Sequence, residues 1–273
     1  MTILYDALSA AIRAEEPVAL AEVVEGPEHL LGAKLLVRPD AHPEVMGSLG
    51  DPGLDRVVSR DTAGELAVGL SVTRHYGLHG EARAREVGVF IESFAPPPAM
   101  IIFGAVDFTA ALAKVAKVLG YRVTVCDARP VFATRARFPM ADDVVVSWPD
   151  KHLAMVGPSL GPRDAVCVLT HDPKFDVPAV VGALGTRVGY LGAMGSRRTH
   201  AERVARLREA GVDDAGLSRL MAPIGLDLGA RTPEETAVAI CGEIIALRSG
   251  RAAPSLRDRD GPIHLDGHVA VGR

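Results

Sequence analysis

Apolar residues follow different patterns on the two sides of Pro96-Pro97-Pro98. After these prolines, short apolar runs alternate with amphipathic segments, and this alternation is typical of a parallel sheet covered by helices on both faces. The runs are centred on Ile101, Val123, Val144, Val166 and Val188. We therefore predict an α/β fold with a C-terminal Rossmann-like parallel sheet over residues 100–249.

The chain before the prolines mixes helical and strand patterns and predicts a smaller α+β domain over residues 1–95. The prolines cannot continue a central strand, so residues 96–99 are predicted to be a stiff linker. A polar tail rich in glycine and proline follows at 250–273 and is predicted to be flexible. The elements predicted before the linker are a helix over 3–15, strands over 18–24, 33–37 and 87–94, a loop over 46–53 and a short helix over 54–58.

Composition excludes several classes of function. The chain has 273 residues, 48% of them apolar, and a net charge of −4, which gives no electrostatic case for nucleic acid or an anionic membrane. No window approaches the ~20 apolar residues of a membrane span, and the N-terminus lacks a basic signal-like region, so we expect a cytoplasmic protein without stable membrane insertion. Cys126 and Cys167 lie in apolar strands and are interpreted as buried thiols. His75 and His79 flank Gly77, which disfavours a helical metal pair, and His264 and His268 lie in an irregular tail, so no metal site is predicted.

The segment 100–129 has the order of a dinucleotide-binding βαβ unit. A strand leads into Gly104 and Ala105, a helix follows, and a second strand ends at Asp127, 23 residues after the glycine, where a ribose-binding acid belongs. The glycine fingerprint is altered, however, because its later positions hold Val106 and Thr109. Asp107 is expected to cap the helix and to oppose a bound phosphate with its own charge. These changes disfavour NAD(P).

A second glycine-rich turn, residues 189–198, leaves the fifth strand and opens a helix. Gly192 and Gly195 free the backbone, and Ser196 can cap the helix. Arg197 and Arg198 stand in the first turn, where the helix dipole disfavours cations. An anion bound beside them would explain this placement. A glycine-rich turn with solvated arginines remains the alternative.

Two further segments carry candidate site residues. His171 follows the fourth strand and is either a general acid or base or a hydrogen-bonding loop residue. Asp227 lies between glycines in the loop 224–229, which ends at Gly229 and whose glycine content indicates close backbone contact with a neighbour. In parallel sheets ligands bind at the carboxyl ends of strands, so Gly104, Asp127, His171 and the second turn are expected to converge. No nucleophile with a base is recognisable, so no catalytic residue is assigned.

The C-terminal two thirds resembles the XdhC/CoxI family of accessory factors for xanthine dehydrogenase and related molybdenum hydroxylases. The resemblance lies in three stretches, FGAVDFTAALAKVAKVLGYRVTVCDARPVFATRARFP, VLTHDPKFDVPAVVGALGTRVGYLGAMGSRR and PIGLDLGARTPEETAVAICGEIIA. It implies a Rossmann domain behind a smaller N-terminal domain. It also implies that the protein binds molybdenum cofactor, protects it during sulfuration and hands it to the apo-enzyme. The implied partners are the apo-hydroxylase, a sulfurase and a second copy of the chain.

Two departures from the family pattern concern the glycine loops. Family members carry a second glycine and a histidine where this chain has Val106 and Asp107. The N-terminal family loop of the form G-G-C/G-x-E corresponds here to residues 47–55, with no cysteine and with Asp55 as the acid. A changed ligand and a lost ligand are both compatible with these departures.

Three functions follow from these observations. The first is a maturation factor that binds the anionic pterin cofactor without turning it over. The second is an NAD(P)-dependent oxidoreductase, and the third is a Rossmann scaffold that binds only protein partners. The residues assigned to the cofactor crevice are Gly104, Ala105, Asp127, Arg129, His171, Gly192, Gly195, Ser196, Arg197, Arg198, Asp227 and Gly229.

Overall fold

The computed structural model describes residues 2–39, 44–82, 84–170 and 172–258. These residues form two compact units. The first contains the chain up to Pro96 together with Leu256–Asp258, and the second runs from Pro97 to Ser255. The described helices include none that is both long enough and apolar enough to cross a membrane.

The first unit is an antiparallel sheet with one helix on each face. Its helices are α1 (Thr2–Arg13) and α2 (Pro52–Val68), and its strands are β1 (Val18–Glu25), β2 (Lys34–Arg38), β3 (Glu44–Ser48), β4 (Val72–Tyr76) and β5 (Val87–Phe94). The strand order is β3-β2-β1-β5-β4. Helix α2 packs on one face through Leu54 and Val58, and α1 covers the other through Ala11.

The second unit is a six-stranded parallel sheet. Its strands are β6 (Ala99–Phe103), β7 (Arg122–Cys126), β8 (Asp143–Val145), β9 (Ala165–Val168), β10 (Tyr190–Ala193) and β11 (Leu220–Met221). The spatial order β8-β7-β6-β9-β10-β11 is the Rossmann order, in which strands are added outward from β6 to β8 and then on the other side of β6 from β9 to β11. The predicted α/β class and Rossmann-like sheet are confirmed.

The described part of the second unit contains helices that pack on the two faces of the parallel sheet. They are α3 (Asp107–Val118), α4 (Pro149–Val156), α5 (Pro173–Leu184), α6 (Arg197–Glu209), α7 (Asp214–Ser218) and α8 (Pro233–Ser249). One core contains apolar residues of α3 and α8, including Leu112 and Ile240. A second core contains residues of α4, α5 and α6, including Leu153, Val180 and Leu207. The strands β6, β9 and β10 are buried between these cores on both faces, which explains their continuous apolar sequences.

Several predicted boundaries are wrong. The strand predicted around Val188 begins two residues later at Tyr190, because Arg187 and Val188 still belong to the connection from α5. Residues 46–48 form the end of β3 instead of a loop, since they pair with β2. The short helix predicted over 54–58 continues to Val68. The tail predicted at 250–273 is described only as far as Asp258, so His264 and His268 lie outside the described residues.

The cysteines have the environment that the sequence predicts. Cys126 and Cys167 are buried in the sheet, and Cys241 is buried in α8. Burial raises the pKa of the Cys126 thiol to about 12 and that of Cys241 to about 11, and it also raises the pKa of Cys167. A thiol with so high a pKa stays protonated at neutral pH and is a poor nucleophile.

Candidate functional site

The candidate site lies along the carboxyl edge of the parallel sheet, where two glycine turns open helices. The first turn joins β6 to α3 through Gly104, Ala105 and Val106, and the second joins β10 to α6 through Met194, Gly195 and Ser196. Because all six strands are parallel, the loops that follow them share one edge of the sheet. His171 follows β9 at this edge, but its position lies outside the described residues.

The first turn packs tightly against the neighbouring strand. Gly104 has φ +110°, and a Cβ atom there would lie 2.9 Å from the Thr170 amide nitrogen. The hydroxyl of Thr109 donates a hydrogen bond to the Gly104 carbonyl. The structure therefore gives Gly104 a packing role at the crossing of β6 and β9.

Asp127 binds groups of its own domain through both carboxylate oxygens. Oδ2 accepts the Ala105 amide at 2.8 Å and Arg129 Nη2 at 2.8 Å, while Oδ1 accepts the Arg129 amide at 3.0 Å and Nε at 2.9 Å. The carboxylate is buried. Burial raises its pKa, but the hydrogen bonds from Arg129 and the Ala105 amide outweigh burial and lower it. Hydroxyl groups of a ribose would have to displace these donors.

Asp107 does not cap α3 as the sequence predicts. The N-cap residue is Val106, which makes no side-chain capping bond, and Asp107 is the first helical residue. Its side chain is 92% exposed, with one carboxylate oxygen 3.5 Å from Nη2 of Arg137. Arg137 also donates from Nη1 to the Ala105 carbonyl at 3.1 Å. The charge of Asp107 nevertheless stands at the helix N-terminus, where it disfavours a bound anion.

The described residues beside the first turn leave little space below it. Phe103, Gly104, Asp127, Thr170 and Phe175 are among the residues around a cavity of about 10 Å³. This volume is near the lower limit for a single water molecule. A phosphate or a ring cannot enter it without movement of the surrounding residues.

The second turn has exposed cationic side chains. Ser196 caps α6 by accepting the Thr199 amide at 3.1 Å. Arg197 and Arg198 are exposed, and within the described residues neither guanidinium forms an ion pair or a hydrogen bond. These two cations and the helix N-terminus form a local environment that favours an anion.

A buried arginine supports the second turn from below. Arg203 is 1% exposed and donates from Nε to Asp176 at 2.8 Å and from Nη2 to the Met194 carbonyl at 2.6 Å. Its Nη1 has no hydrogen-bond partner among the described residues. The guanidinium lies against the turn, because a Cβ atom at Gly195 would be 3.5 Å from Nη2. Arg203 is not among the residues predicted from the sequence, although its position four residues before buried Leu207 identifies the inner face of α6.

Gly192 and the loop around Asp227 are explained by packing on β10 and α8. A Cβ atom at Gly192 would lie 2.5 Å from Cγ1 of Ile224. A Cβ atom at Gly225 would lie 3.2 Å from the Ile240 amide nitrogen, which confirms that a helix provides the close contact expected for this loop. Asp227 and Gly229 are exposed, and nothing lies within 4 Å of a Cβ atom placed at Gly229.

The loop at 47–55 belongs to the first unit and is held by its own polar residues. Asp55 accepts the Ser48 hydroxyl at 2.7 Å and the Leu49 amide at 2.6 Å. Asp51 caps α2, and its Oδ2 lies 2.9 Å from Nδ1 of His79. The Leu54 amide and His79 lower the pKa of Asp51, and Asp51 raises the pKa of His79. These local bonds account for the acids of the loop.

Two models of known protein families match the chain. Residues 100–244, more than half of the chain, match the model of the XdhC Rossmann domain, and residues 11–77 match that of the XdhC and CoxI family. The chain belongs to the XdhC and CoxI family. The family recognised from the three sequence stretches is therefore confirmed.

Three curated relatives match parts of the chain. A probable xanthine dehydrogenase subunit of Bacillus subtilis is 34% identical over 160 residues, covering 59% of this chain and 46% of that protein. The protein YqeB of Escherichia coli is 26% identical over 267 residues, covering 93% and 47%. The molybdenum cofactor insertion chaperone PaoD of Escherichia coli is 33% identical over 84 residues, covering 31% and 26%. The chain thus spans less than half the length of each of these relatives.

A solved structure shows the same fold. The crystal structure of a xanthine dehydrogenase from Bacillus halodurans superposes with a TM-score of 0.53 and 19% sequence identity, covering 92% of this chain and 97% of that one. This likeness concerns the fold alone.

Proposed function

We propose that this protein is a cytoplasmic accessory factor that binds molybdenum cofactor and delivers it to a molybdenum hydroxylase of the xanthine dehydrogenase or CO dehydrogenase type. Family membership supports the accessory role, as do relatives named as a cofactor insertion chaperone and as part of a xanthine dehydrogenase. The apo-hydroxylase is the proposed partner. A sulfurase and a second copy of the chain are further partners predicted from the family resemblance.

The observation that carries the proposal is that Arg197 and Arg198, at the N-terminus of α6, have no partner among the residues that the structure describes. The cofactor is a pterin bearing a phosphate, and such an anion fits a helix N-terminus with two free guanidinium groups. Gly195 and Ser196 shape the turn that presents these groups, and Gly192 lies in β10 just before it. Buried Arg203 fixes the turn, and its Nη1 has no hydrogen-bond partner in the described part of the chain.

The first turn has a different part in the proposed site. Asp127 accepts the Ala105 amide, which follows Gly104, and binds Arg129 at the same edge. We assign Asp227 and Gly229 to the site as neighbours. The residues of the first turn do not fit a phosphate, because Asp127 takes the Ala105 amide and Asp107 adds negative charge. His171 stays a predicted member of the site.

Two other functions compete with this proposal. An NAD(P)-dependent oxidoreductase would need a ribose-binding acid, and Asp127 is already bound by Arg129. A scaffold that binds only protein partners is favoured by the close packing of the first turn. A titration with the candidate ligands distinguishes the three functions.

The decisive experiment is isothermal titration of the purified protein with intact molybdenum cofactor under exclusion of oxygen, with NAD and NADP as controls. We expect micromolar or tighter binding of the cofactor. The double variant Arg197→Ala/Arg198→Ala is expected to bind about 100-fold more weakly, since it loses two charge-assisted contacts. The matched control, Arg206→Ala/Arg208→Ala, removes the same charge from the other end of α6 and is expected to bind like the wild type.

Each contrary result has a definite meaning. Binding of a nicotinamide nucleotide in place of the cofactor supports the oxidoreductase. Binding of neither supports the protein-only scaffold. Equal loss in both double variants overturns the assignment of the second turn as the anion site, because a general loss of positive charge would then explain it.

A further inference from the structure

A chain of ring contacts lies at the carboxyl ends of β7, β8 and β9. The Arg129 guanidinium carbon is 4.6 Å from the ring centroid of Phe132 and 5.8 Å from that of Phe175. Phe175 stacks on Trp148, with ring centroids 4.7 Å apart and planes at 21°. We call Phe132, Arg129, Phe175 and Trp148 the aromatic stack. Its members come from three separate loops or helix starts, so the fold assembles it.

Three members of the stack are fixed by their neighbours. Arg129 is held by the buried carboxylate of Asp127 through both Nε and Nη2. Phe132 contacts a second cation, since the Arg137 guanidinium carbon lies 5.7 Å from its centroid. Phe175 stands in the first turn of α5, directly before Asp176, which binds Arg203. A platform whose parts are held in this way binds a flat ring with little loss of conformational entropy.

Trp148 forms one of the two exposed ends of the stack. It is the one tryptophan of the chain and is 42% exposed. Among the ring contacts of the described residues, Phe132 contacts two guanidinium groups, whereas Trp148 contacts Phe175 alone. Its backbone is fixed as the N-cap of α4, followed by buried Pro149. A large, rigid aromatic surface is thus presented to solvent at the edge where Rossmann domains bind ligands.

We propose that Trp148 and the aromatic stack behind it bind a planar fused heterocycle of the pterin or guanine type. Both rings are flat and bicyclic and carry the same amino-oxo-pyrimidine edge, so either can stack on an indole. The ring lies on the exposed surface of Trp148, because the cavity on the inner side of Phe175 holds only about 10 Å³. This inference deepens the proposed function, since a pterin is the core of the proposed cofactor and a nucleotide base is present in its dinucleotide forms.

Intrinsic fluorescence tests the inference directly, because all tryptophan emission of the chain comes from Trp148. The full chain is titrated with pterin, with guanosine monophosphate and with ribose 5-phosphate, which carries the phosphate but no ring. We expect saturable quenching by both ring compounds and none by ribose 5-phosphate. Tighter binding of pterin assigns the stack to the pterin end of the cofactor, and tighter binding of guanosine monophosphate assigns it to the nucleotide end.

Variants separate the stack from the remainder of the surface. Trp148→Leu, followed by calorimetry, is expected to weaken binding of the preferred ring about 5- to 150-fold, the range of base–aromatic stacking. Phe175→Leu keeps Trp148 as the fluorescent reporter, and the affinity for the ring measured by quenching is expected to fall at least about 5-fold. Tyr5→Leu removes a 68% exposed aromatic ring from the first unit and is expected to change neither the calorimetric affinity nor the quenching of Trp148.

The outcomes distinguish this inference from the proposed function. Calorimetric binding of the intact cofactor without a change in Trp148 emission overturns the stack as the ring site and leaves the proposed function standing. Quenching by the rings without binding of the intact cofactor supports the stack and counts against the proposed function. The inference is overturned if neither pterin nor guanosine monophosphate quenches Trp148 emission. It is also overturned if Trp148→Leu binds the preferred ring with unchanged affinity.

Discussion

The two glycine turns of the parallel sheet have the same place in the topology but opposite electrostatic character. In the first turn, the Ala105 amide donates to Asp127, and Asp127 also binds Arg129. In the second turn, Arg197 and Arg198 extend from the helix N-terminus without a partner among the described residues. The first turn satisfies its own polar groups, whereas the second leaves positive charge available.

This difference shows that a glycine turn at a ligand edge is not by itself a ligand site. Gly104 is required by the backbone of Thr170, which a Cβ atom would approach to 2.9 Å. Gly192 is likewise required by the side chain of Ile224. What distinguishes the second turn is its pair of arginines, for which the described residues provide no partner. We therefore base the proposed anion site on these charges and not on the glycines.

The largest expected effect comes from removing the support of the second turn. Arg203→Met removes the guanidinium that neutralises buried Asp176, and we expect a loss of about 3–5 kcal/mol in the free energy of unfolding. Urea denaturation measures it. The control Arg208→Met breaks an exposed pair with Asp214 and is expected to cost less than about 1 kcal/mol. Equal losses in the two variants would contradict the supporting role of Arg203.

A smaller effect is expected from the backbone of the first turn. Gly104→Ala forces a side chain onto a residue with φ +110° and against the Thr170 backbone, so we expect a loss of about 2–3 kcal/mol. Gly229→Ala is the matched control, since Gly229 has φ +70° and open space around it, and about 1 kcal/mol is expected. Thermal unfolding of both variants measures the difference. A fully stable Gly104→Ala protein would show that the turn opens more easily than its packing indicates.

The smallest effect is expected from the carboxylate of the first turn. Asp127→Asn weakens the hydrogen bonds from Arg129 and Ala105, and we expect a loss of about 1–2 kcal/mol near neutral pH, because Arg129 is 45% exposed. The folded-state pKa of Asp127 is lowered, so its stabilisation is present above the ordinary carboxyl pKa and is lost as the pH falls through the lowered value.

The pH dependence provides the check on this last prediction. Urea denaturation of wild type and Asp127→Asn over a series of falling pH values is expected to show a shrinking difference in stability. Asp107→Asn is the control in the same turn, since its side chain is 92% exposed and the substitution is expected to stay within about 0.5 kcal/mol. A difference between wild type and Asp127→Asn that persists into acid would contradict the role of the ionised carboxylate.

Elements with a clear hydrophobic pattern could be predicted from the sequence, whereas very short strands and exposed strands could not. The strands β6 and β9 are continuous apolar runs, because helices cover both faces of the sheet. Strand β11 contains only Leu220 and Met221, and its pairing with β10 leaves no periodic signal. Strand β3 was hidden in a glycine-containing segment that is exposed along most of its length. Such strands are defined by hydrogen-bonded pairing with a neighbouring strand and not by a pattern in their own sequence.

The candidate site could be predicted only where its residues are adjacent in the sequence. The turn at 192–198 could be found because glycines, a capping serine and two arginines are adjacent in the sequence. The pairing of Asp127 with the Ala105 amide crosses 22 residues, and the contact of Arg203 with Asp176 crosses 27. The stack of Trp148 on Phe175 likewise joins residues that are distant in the sequence.

The sequence by itself determined the alternation of strands and helices, the family of the chain and the position of the exposed arginines, because each depends on neighbouring residues. Only the tertiary structure decided that Asp127 is bound by Arg129, that Arg203 supports the second turn and that Trp148 ends an aromatic stack. These contacts depend on the strand order of the sheet, which brings the ends of β6, β7, β8, β9 and β10 to one edge. Charges and rings from separate segments acquire their partners only there.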